Sequence, residues 1–413
     1  MPVLQWLNPD YVQGLFESGI CSTVEEARNY ICESYPQQKS FTSHTLLIFL
    51  NQNEISYKKP LSKEELEEQV RIATSEIGGV AGRKAMQGYL RSKNIHASQE
   101  RISNAQKIVG QVYFENRRQD AQRQLNPRPY HATCFGYNLH FDQNEKLVEY
   151  GIVFVMAVDG KSAFITRASI MPRKNNITIY DQVFAASVVD FGLWDQTIQD
   201  CGREFFLSIF IQDYLKDFRV KPNTERSRPP FRQVTSCKNN RVERVWQEVN
   251  ARVGFPIKFA FVEMEENNML SRLDLTHMFA TSIVGCSVAR VLYQRFIDGW
   301  NNRSVPKKLI PAQYILSKGN FILPAGTLPT AAAAAELYRN CDGRLTDESQ
   351  FGKDLLSASP EKQERRDAMF WEEINTTFGG IENIANYTTN NQYHLLQQAV
   401  IKFIEIGLFV ASQ

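Results

Sequence analysis

The sequence predicts an α+β core that lies between two helical regions. Residues 8–116 carry apolar positions at helical spacing, and from Cys134 the pattern changes to short β-type runs. One of these runs, Tyr150–Val158, is almost entirely apolar, which is typical of a buried strand. Helical signals dominate again after Gly254, so we expect a mixed sheet flanked by helices in the middle of the chain.

The composition is that of a chain with several globular modules. At 413 residues, with 43% hydrophobic and 22% charged residues, it can bury a sizeable core, and about two to four modules are usual at this length. The seven cysteines are scattered without zinc-type spacing, which favours free thiols in a reducing compartment. We expect a soluble intracellular protein without a membrane span, because no signal peptide is evident and the apolar tail Ala399–Ala411 is short and charged.

The first 116 residues predict two units of three short helices each, residues 1–60 and residues 61–116. The six helices are expected at Asp10–Ser18, at Val24–Ser34, from Ser43, from Ser62 to Ile77, at Gly82–Leu90 and after Ser98. Three short helices with a capped third are compatible with a helix-turn-helix, which binds DNA. On spacing alone, a generic helical bundle is the favoured alternative.

Basic charge is concentrated in one part of the chain. From Gln69 to Tyr130 there are eleven Lys/Arg and four Asp/Glu, although the net charge of the whole chain is only +2. Such a surplus would suit DNA phosphates, and Arg101 and Lys107 on one helix face are our candidates for these contacts. The alternative is a solvated helix face. Residues 117–130 are expected to be a basic linker between the helical units and the core.

Residues 131–318 carry the elements of the predicted core. The elements are a strand that ends at Asp142, strands at Tyr150–Val158 and Ala163–Ile170, a helix at Asp181–Phe191, a strand at Gln196–Gln199, and helices at Glu204–Asp217 and Arg241–Val253. This order is that of an RNase H-like layer fold. Residues 319–413 are expected to form a helical C-terminal region, whose role the sequence does not indicate.

Three acids of this core form a candidate metal site. Asp142 and Asp200 each close a predicted strand, and Glu243 lies on a predicted helix. Phosphodiester cleavage and joining need an activated oxygen nucleophile and a stabilised leaving oxygen, which two divalent ions provide together. Mg²⁺ prefers carboxylate oxygens, so an all-acid site suits it. Spacing alone leaves another interpretation open, since acids at strand ends are common and the helix of Glu243 also fits an exposed, salt-bridged helix.

Three neighbours of Glu243 are further candidates for DNA contacts. Asn239 can cap the start of the helix, and Arg241 and Arg244 lie to its sides, where a phosphate backbone could be gripped. Asp159 competes with Asp142 for the place of the first acid, since it also ends a strand. We prefer Asp142, because the Asp-Gly turn signal explains Asp159.

The ordered motifs of this region resemble the integrase core of metazoan transposon-derived proteins, a DDE-type family in the retroviral-type integrase and transposase superfamily. The matching pieces include His140-Phe141-Asp142, Tyr150-Gly151-Ile152, Asp159-Gly160-Lys161-Ser162, Asn175-Asn176, Asp200-Cys201-Gly202-Arg203-Glu204, Ser236 to Trp246, Gly299-Trp300-Asn301-Asn302 and Pro311-Ala312-Gln313. The two N-terminal helical units also look like what precedes the core in this family.

The resemblance implies an RNase H-like fold in which Asp142, Asp200 and Glu243 are the catalytic and metal-binding acids. It implies cleavage and transfer of DNA ends that depends on Mg²⁺ or Mn²⁺, with DNA as the partner, and a homo-oligomer in the nucleus. Three neighbours of the acids depart from the family pattern. They are Gln143 in place of a glycine, Ala163 in place of an arginine and Phe205 in place of an asparagine.

Three functions are consistent with these features. The first is an integrase or transposase that still cuts and joins DNA. The second is a catalytically inactive, host-adopted DNA-binding or chromatin-associated scaffold, which the three departures favour. The third is an RNase H-like nuclease that acts on RNA-containing substrates, which we place last because the motif from Ser236 to Trp246 is integrase-like.

Overall fold

A computed structural model describes most of the chain, in two compact units. The described residues are 4–21, 23–55, 61–93, 95–111, 113, 132–219, 228–235, 239–305, 308–315 and 323–413. One unit comprises the described residues of 1–74, 80–129 and 298–319, and the other those of 75–79, 130–297 and 320–413. The two predicted N-terminal segments thus share one unit, and the C-terminal region belongs to the same unit as the core. The predicted linker 117–130 lies outside the described residues.

All six predicted N-terminal helices are present. They are α1 (Pro9–Glu17), α2 (Val24–Ser34), α3 (Ser43–Gln52), α4 (Lys63–Ile77), α5 (Arg83–Ser92) and α6 (Gln99–Val109). Side-chain oxygens of Thr23, Thr42 and Ser98 cap α2, α3 and α6 by accepting backbone N–H groups of the first turn. Ser62 and Glu65 form the predicted capping box, in which each side chain accepts the backbone N–H of the other residue.

The second unit is built on a mixed five-stranded sheet, as predicted. The strands are β1 (Asn138–Leu147), β2 (Ile152–Asp159), β3 (Ile165–Met171), β4 (Gln196–Gln199) and β5 (Phe231–Gln233), in the order β3-β2-β1-β4-β5. β1 and β2 pair antiparallel, as do β2 and β3, whereas β1/β4 and β4/β5 pair parallel. β1 runs past Asp142 to Leu147, so the prediction that Asp142 ends its strand is wrong. The short strand β5 was not predicted.

Helices flank this sheet, and further helices form the C-terminal region. They are α7 (Asn176–Ile179), α8 (Ala186–Phe191), α9 (Phe206–Tyr214), α10 (Asn240–Val249), α11 (Phe255–Glu266), α12 (Leu275–Asn301), α13 (Ala331–Asn340), α14 (Pro360–Thr376), α15 (Ile381–Thr389) and α16 (His394–Ala411). A π-helical turn, Tyr180–Ala185, joins α7 to α8, and a second one, Asn250–Gly254, joins α10 to α11. On β1 the side chain of Phe141 packs against Phe184, whereas its neighbour Asp142 contacts α10. Because successive strand residues point to opposite faces, the π-helical turn Tyr180–Ala185 and the helix α10 lie on opposite sides of β1.

Two of the described helices, α12 and α16, are long and apolar enough to cross a membrane by length and composition. In α12, 61% of the most apolar window is buried inside the protein, and in α16 the share is 39%. A buried core helix satisfies the same criteria, so this is weak evidence for a span. α16 also begins at His394, earlier than the start of the apolar tail at Ala399 suggested.

A buried ion pair holds the C-terminal region together. Arg366 on α14 donates to Asp354 over 2.5 Å, and the two side chains are nearly inaccessible to solvent. Gln363 donates to the other carboxylate oxygen, and the Arg366 guanidinium lies 4.8 Å from the ring centroid of Phe403 on α16. Burial alone would raise the pKa of Asp354, but its hydrogen bonds from Arg366, Gln363 and the Leu356 N–H outweigh burial, and the net pKa is lowered.

Replacement of Asp354 by alanine is expected to cost about 3–5 kcal/mol of stability, because it leaves the Arg366 charge buried without its partner. Glu405→Ala, which breaks the exposed Lys402–Glu405 pair, is the control and should cost about 0–1 kcal/mol. Urea unfolding at pH 7 measures both. A depressed carboxyl pKa contributes stability above its unfolded value, near 3.9, and this contribution is lost as the pH falls through the folded value. The difference in free energy of unfolding between wild type and Asp354→Ala should therefore become smaller in acid. Equal losses of stability at pH 7 in Asp354→Ala and Glu405→Ala would contradict the prediction.

Candidate active site

Two of the predicted acids lie on neighbouring parallel strands. In the β1–β4 ladder, His140 is opposite Ile198. The same register, continued by two residues, places Asp142 level with Asp200, which directly follows β4. Paired residues of adjacent strands point to the same face, and such strands lie roughly 4.8 Å apart. The register therefore places the two acids beside each other on one face of the sheet.

The third acid lies on α10, whose inner face is bonded to β1. Three side-chain pairs make this contact: His140 Nδ1 to Asn239 Oδ1 at 2.7 Å, Trp246 Nε1 to Asp142 Oδ2 at 3.0 Å, and Asn144 Nδ2 to Asn250 Oδ1 at 2.7 Å. The three β1 residues are alternate positions and so share one face of the sheet. The three helical residues lie seven and then four positions apart, which places them along one side of the helix. Glu243 belongs to the same side, four residues after Asn239, so the helix turns Glu243 toward Asp142.

Asn239 fixes the start of this helix from inside the protein. Its side chain is fully buried, and its amide nitrogen donates to the Phe141 carbonyl over 2.8 Å. The amide oxygen therefore faces His140, whose Nδ1–H donates to it. Burial lowers the pKa of His140 to about 4, and the charge of Arg241 acts in the same direction, so the imidazole is neutral at pH 7. Asn239 stands at the N-cap position, but the prediction that its side chain caps the helix is wrong, because the side chain makes no capping bond and is buried against β1. Its DNA contact stays a prediction.

The three acids interact electrostatically. Asp142 is only 5% exposed, and burial raises its pKa to about 7. The negative charges of Asp200 and Glu243 contribute to this rise, and the hydrogen bonds from the N–H groups of Gln143 and Trp246 act against it. An acid cluster of this kind favours either a proton or a cation, since the uncompensated carboxylates repel one another.

A fourth carboxylate, which the sequence showed only as one position of a motif, lies beside them. Glu204 is 7% exposed, accepts a hydrogen bond from the Gln143 side chain, and lies 3.6 Å from the Lys174 ammonium. A Cβ atom at Gly202 would lie 2.6 Å from Glu204 Oε1 and 2.9 Å from Asp200 Oδ1. A side chain at position 202 would therefore displace one or both of these carboxylates from their present positions. Nothing in the spacing of the sequence distinguished Glu204 from other acids.

The three residues that depart from the family pattern each have a defined place. Phe205 is buried and packs on Phe141, with ring centroids 6.3 Å apart. The Gln143 amide nitrogen bonds to Glu204 and, at 2.7 Å, to Glu145. Ala163 has φ +58° in the hairpin turn between β2 and β3.

Asp159 has a separate and local function. Its carboxylate accepts the backbone N–H groups of Gly136, Lys161 and Ser162, the Ser162 hydroxyl and the Trp194 indole N–H, over 2.7–3.1 Å. These bonds satisfy both oxygens and close the hairpin turn. The geometry gives Asp159 a structural reason to be an aspartate that does not involve the other acids.

The acidic side chains of this site are of the chemical type that binds divalent cations. Three carboxylates on one face are the oxygen ligands that Mg²⁺ and Mn²⁺ accept. The side-chain oxygen of Gln143, the residue after Asp142, is buried without a hydrogen-bond partner in the described part of the chain. Among the described residues, however, no three His, Cys, Asp or Glu side chains already form a group that could hold a metal ion. The acids therefore have suitable chemistry and a common face, and would have to draw closer to share an ion.

The four basic candidates for DNA contacts differ in exposure. Arg101 is half-buried, and its guanidinium donates to two backbone carbonyls of the segment that opens α4, so it serves the fold of its own unit. Lys107 on α6 and Arg244 on α10 are exposed, and Arg241 is half-buried. Exposure leaves Lys107 and Arg244 available to a polyanion.

Comparison with known proteins identifies the class of this domain. A family model described as Integrase core domain matches residues 130–317. Together with the mixed five-stranded sheet and its flanking helices, the match confirms the predicted RNase H-like integrase core and supports a place for this region in the retroviral-type integrase superfamily. Integrase core domains generally use divalent metal ions. No curated protein matches the sequence.

Asp142→Asn is expected to stabilise the metal-free protein more at pH 8 than at pH 5. Because its pKa is raised to about 7, the native state binds the Asp142 proton more tightly than the unfolded chain, and stability falls as the pH rises from the unfolded value, near 3.9, to the folded value. One pKa unit corresponds to about 1.4 kcal/mol, so the gain at pH 8 is on the order of a few kcal/mol. Urea unfolding in EDTA at the two pH values measures it, with the exposed Asp217→Asn as control. An equal effect at both pH values would refute the assignment.

Proposed function

We propose that this chain is a DNA-binding protein of the integrase and transposase type that cleaves phosphodiester bonds and transfers DNA strands with the help of Mg²⁺ or Mn²⁺. One observation carries the proposal. The β1–β4 register and the bonded face of α10 turn Asp142, Asp200 and Glu243 toward one another. They do so inside the region that matches the integrase core domain.

In this proposal the three acids hold the metal. When bound, divalent ions at such a site activate a water or a 3′-hydroxyl as nucleophile and neutralise the leaving oxygen. The chain itself supplies the arrangement of the ligands. The sheet register places Asp142 beside Asp200, and the buried contact between Asn239 and His140 fixes the start of α10, so that Glu243 faces the strand. Gln143 and Lys174 each contact Glu204 and hold it next to Asp200, where the Glu204 carboxylate adds negative charge.

DNA would be held by basic groups on both units. Arg244 on α10 is exposed close to the acids in sequence, and Lys107 on α6 belongs to the basic region of the chain. Lysine and arginine on such surfaces bind phosphates by charge, with a strong dependence on salt. We further propose a homo-oligomer, a nuclear location and an origin from a metazoan transposon, all three on the resemblance of the motifs.

A catalytically inactive scaffold is the second candidate, and two observations favour it. Gln143, Ala163 and Phe205, around the acids, depart from the family pattern. In addition, the described acids do not yet form a group of three that could hold a metal. A host-adopted protein of this kind would bind DNA equally well with and without divalent ions.

Asp200→Asn is expected to abolish Mg²⁺-dependent nicking and strand transfer while DNA binding persists, because it removes one acid of the metal site and leaves the basic surface unchanged. Supercoiled plasmid and short duplex ends serve as substrates for the full-length protein, and gel shift measures DNA binding. Asp217→Asn, an exposed aspartate, controls for the loss of one charge. Nicking that persists in Asp200→Asn would exclude the proposed site. DNA binding without nicking in wild type, insensitive to EDTA, would support the scaffold.

A further inference from the structure

The indole of Trp246 makes a contact that the proposed chemistry does not explain. Trp246 is nearly buried, and its Nε1–H donates to Asp142 Oδ2 over 3.0 Å. The two residues are 104 positions apart in the chain, so the bond depends on the fold of the core. Trp246 also lies one helical turn after Glu243, so a single helix carries one acid and bonds to another.

The bond leaves Asp142 with one oxygen fixed and one oxygen available. Oδ2 is held by the indole, whereas in the described part of the chain Oδ1 accepts a single hydrogen bond, from the backbone N–H of the adjacent Gln143. A carboxylate oxygen has two lone pairs, so Oδ1 retains acceptor capacity. Carboxylates that bind metals are commonly held in this way, by a hydrogen bond to the oxygen that the metal does not use.

We infer that Trp246 is a positioning residue for the metal site: its indole fixes the Asp142 carboxylate through Oδ2, and Oδ1 would remain for a cation held by the acids. The inference rests on the proposed function. It extends that function to a residue that is neither an acid nor a DNA contact. The phenyl ring of a Trp246→Phe variant would keep much of the packing and lose the N–H donor.

The same protein contains a matched control for this contact. Trp194 donates its Nε1–H to Asp159 Oδ2 over 3.1 Å, and both residues are buried. Trp194→Phe therefore removes the same kind of bond from another buried aspartate of the same unit. Asp159 serves the hairpin turn and lies outside the group of three acids. A purely structural effect of losing an indole N–H would appear in both variants.

The test measures Mn²⁺ binding to the full-length protein by titration calorimetry and by the EPR signal of free Mn²⁺, so it does not depend on turnover. Trp246→Phe is expected to weaken Mn²⁺ binding about 10- to 100-fold, the usual effect of losing a hydrogen bond to a metal ligand. Trp194→Phe is expected to leave the Mn²⁺ dissociation constant unchanged. If Trp246→Phe does not fold, benzothienylalanine at position 246 keeps the bicyclic shape without the N–H, and the same weakening is expected.

The possible outcomes separate this inference from the proposed function. An unchanged or tighter dissociation constant in the position-246 variants, with wild-type binding that Asp200→Asn removes, would overturn the role of Trp246 and leave the metal site standing. Equal weakening in Trp246→Phe and Trp194→Phe would also overturn it, because the effect would then be structural. Wild-type protein that binds no Mn²⁺ through its acids would overturn the proposed metal chemistry, and this inference with it.

Discussion

The site depends on one set of contacts, the hydrogen bonds that join alternate residues of β1 to one face of α10. His140, Asp142 and Asn144 bond to this helix and to the turn that follows it. All three are buried polar residues. A buried polar group that loses its partner costs about 1–3 kcal/mol, so each bond opposes movement of α10 relative to β1. A slip of one residue along β1 would present Phe141 and Gln143 to α10 and break all three bonds at once. The hydrogen bonds that Asn239, Trp246 and Asn250 make to β1 therefore set the position of Glu243 relative to this strand.

The other face of β1 explains how the fold accommodates Phe205, one of the three residues that depart from the family pattern. Phe141 points away from α10, toward Phe184 and Phe205. A large apolar side chain at position 205 is thus stabilised by burial against the sheet, on the side opposite the acids. Leu139 and Phe141 thus face the core and alternate, with a period of two residues, with His140 and Asp142, which face α10. A departure on the core side, such as Phe205, changes packing, whereas a change in Asp142 or its bonding partners would change the site.

Local signals in the sequence were sufficient for the helices but not for the contacts between elements. Caps and apolar spacing placed α1 to α6 within a few residues, because such signals act within one helical turn. β1 was predicted too short, since its second half carries Asp142, Asn144 and Glu145, which do not resemble a buried strand. The motifs suggested three acids, and the β1–β4 register and α10 bring them toward one face. The bond between Trp246 and Asp142 and the inward turn of Asn239 join positions about 100 residues apart, and no local pattern encodes them.

The C-terminal region takes part in the same arrangement, through Asn176. Its side-chain amide donates to the carbonyls of Arg203 and Glu204, over 2.8 and 3.0 Å, and its oxygen accepts the backbone N–H of Thr346 at 2.7 Å. Thr346 accepts the backbone N–H of Asn176 in return. One buried side chain thereby connects the loop after Asp200 to a segment beyond residue 317, where the match to the integrase core domain ends. Because buried backbone carbonyls need partners, this loop depends on Asn176, and Asn176 depends in turn on the C-terminal segment. The structural unit that positions Asp200 therefore extends past the matched domain into the C-terminal region.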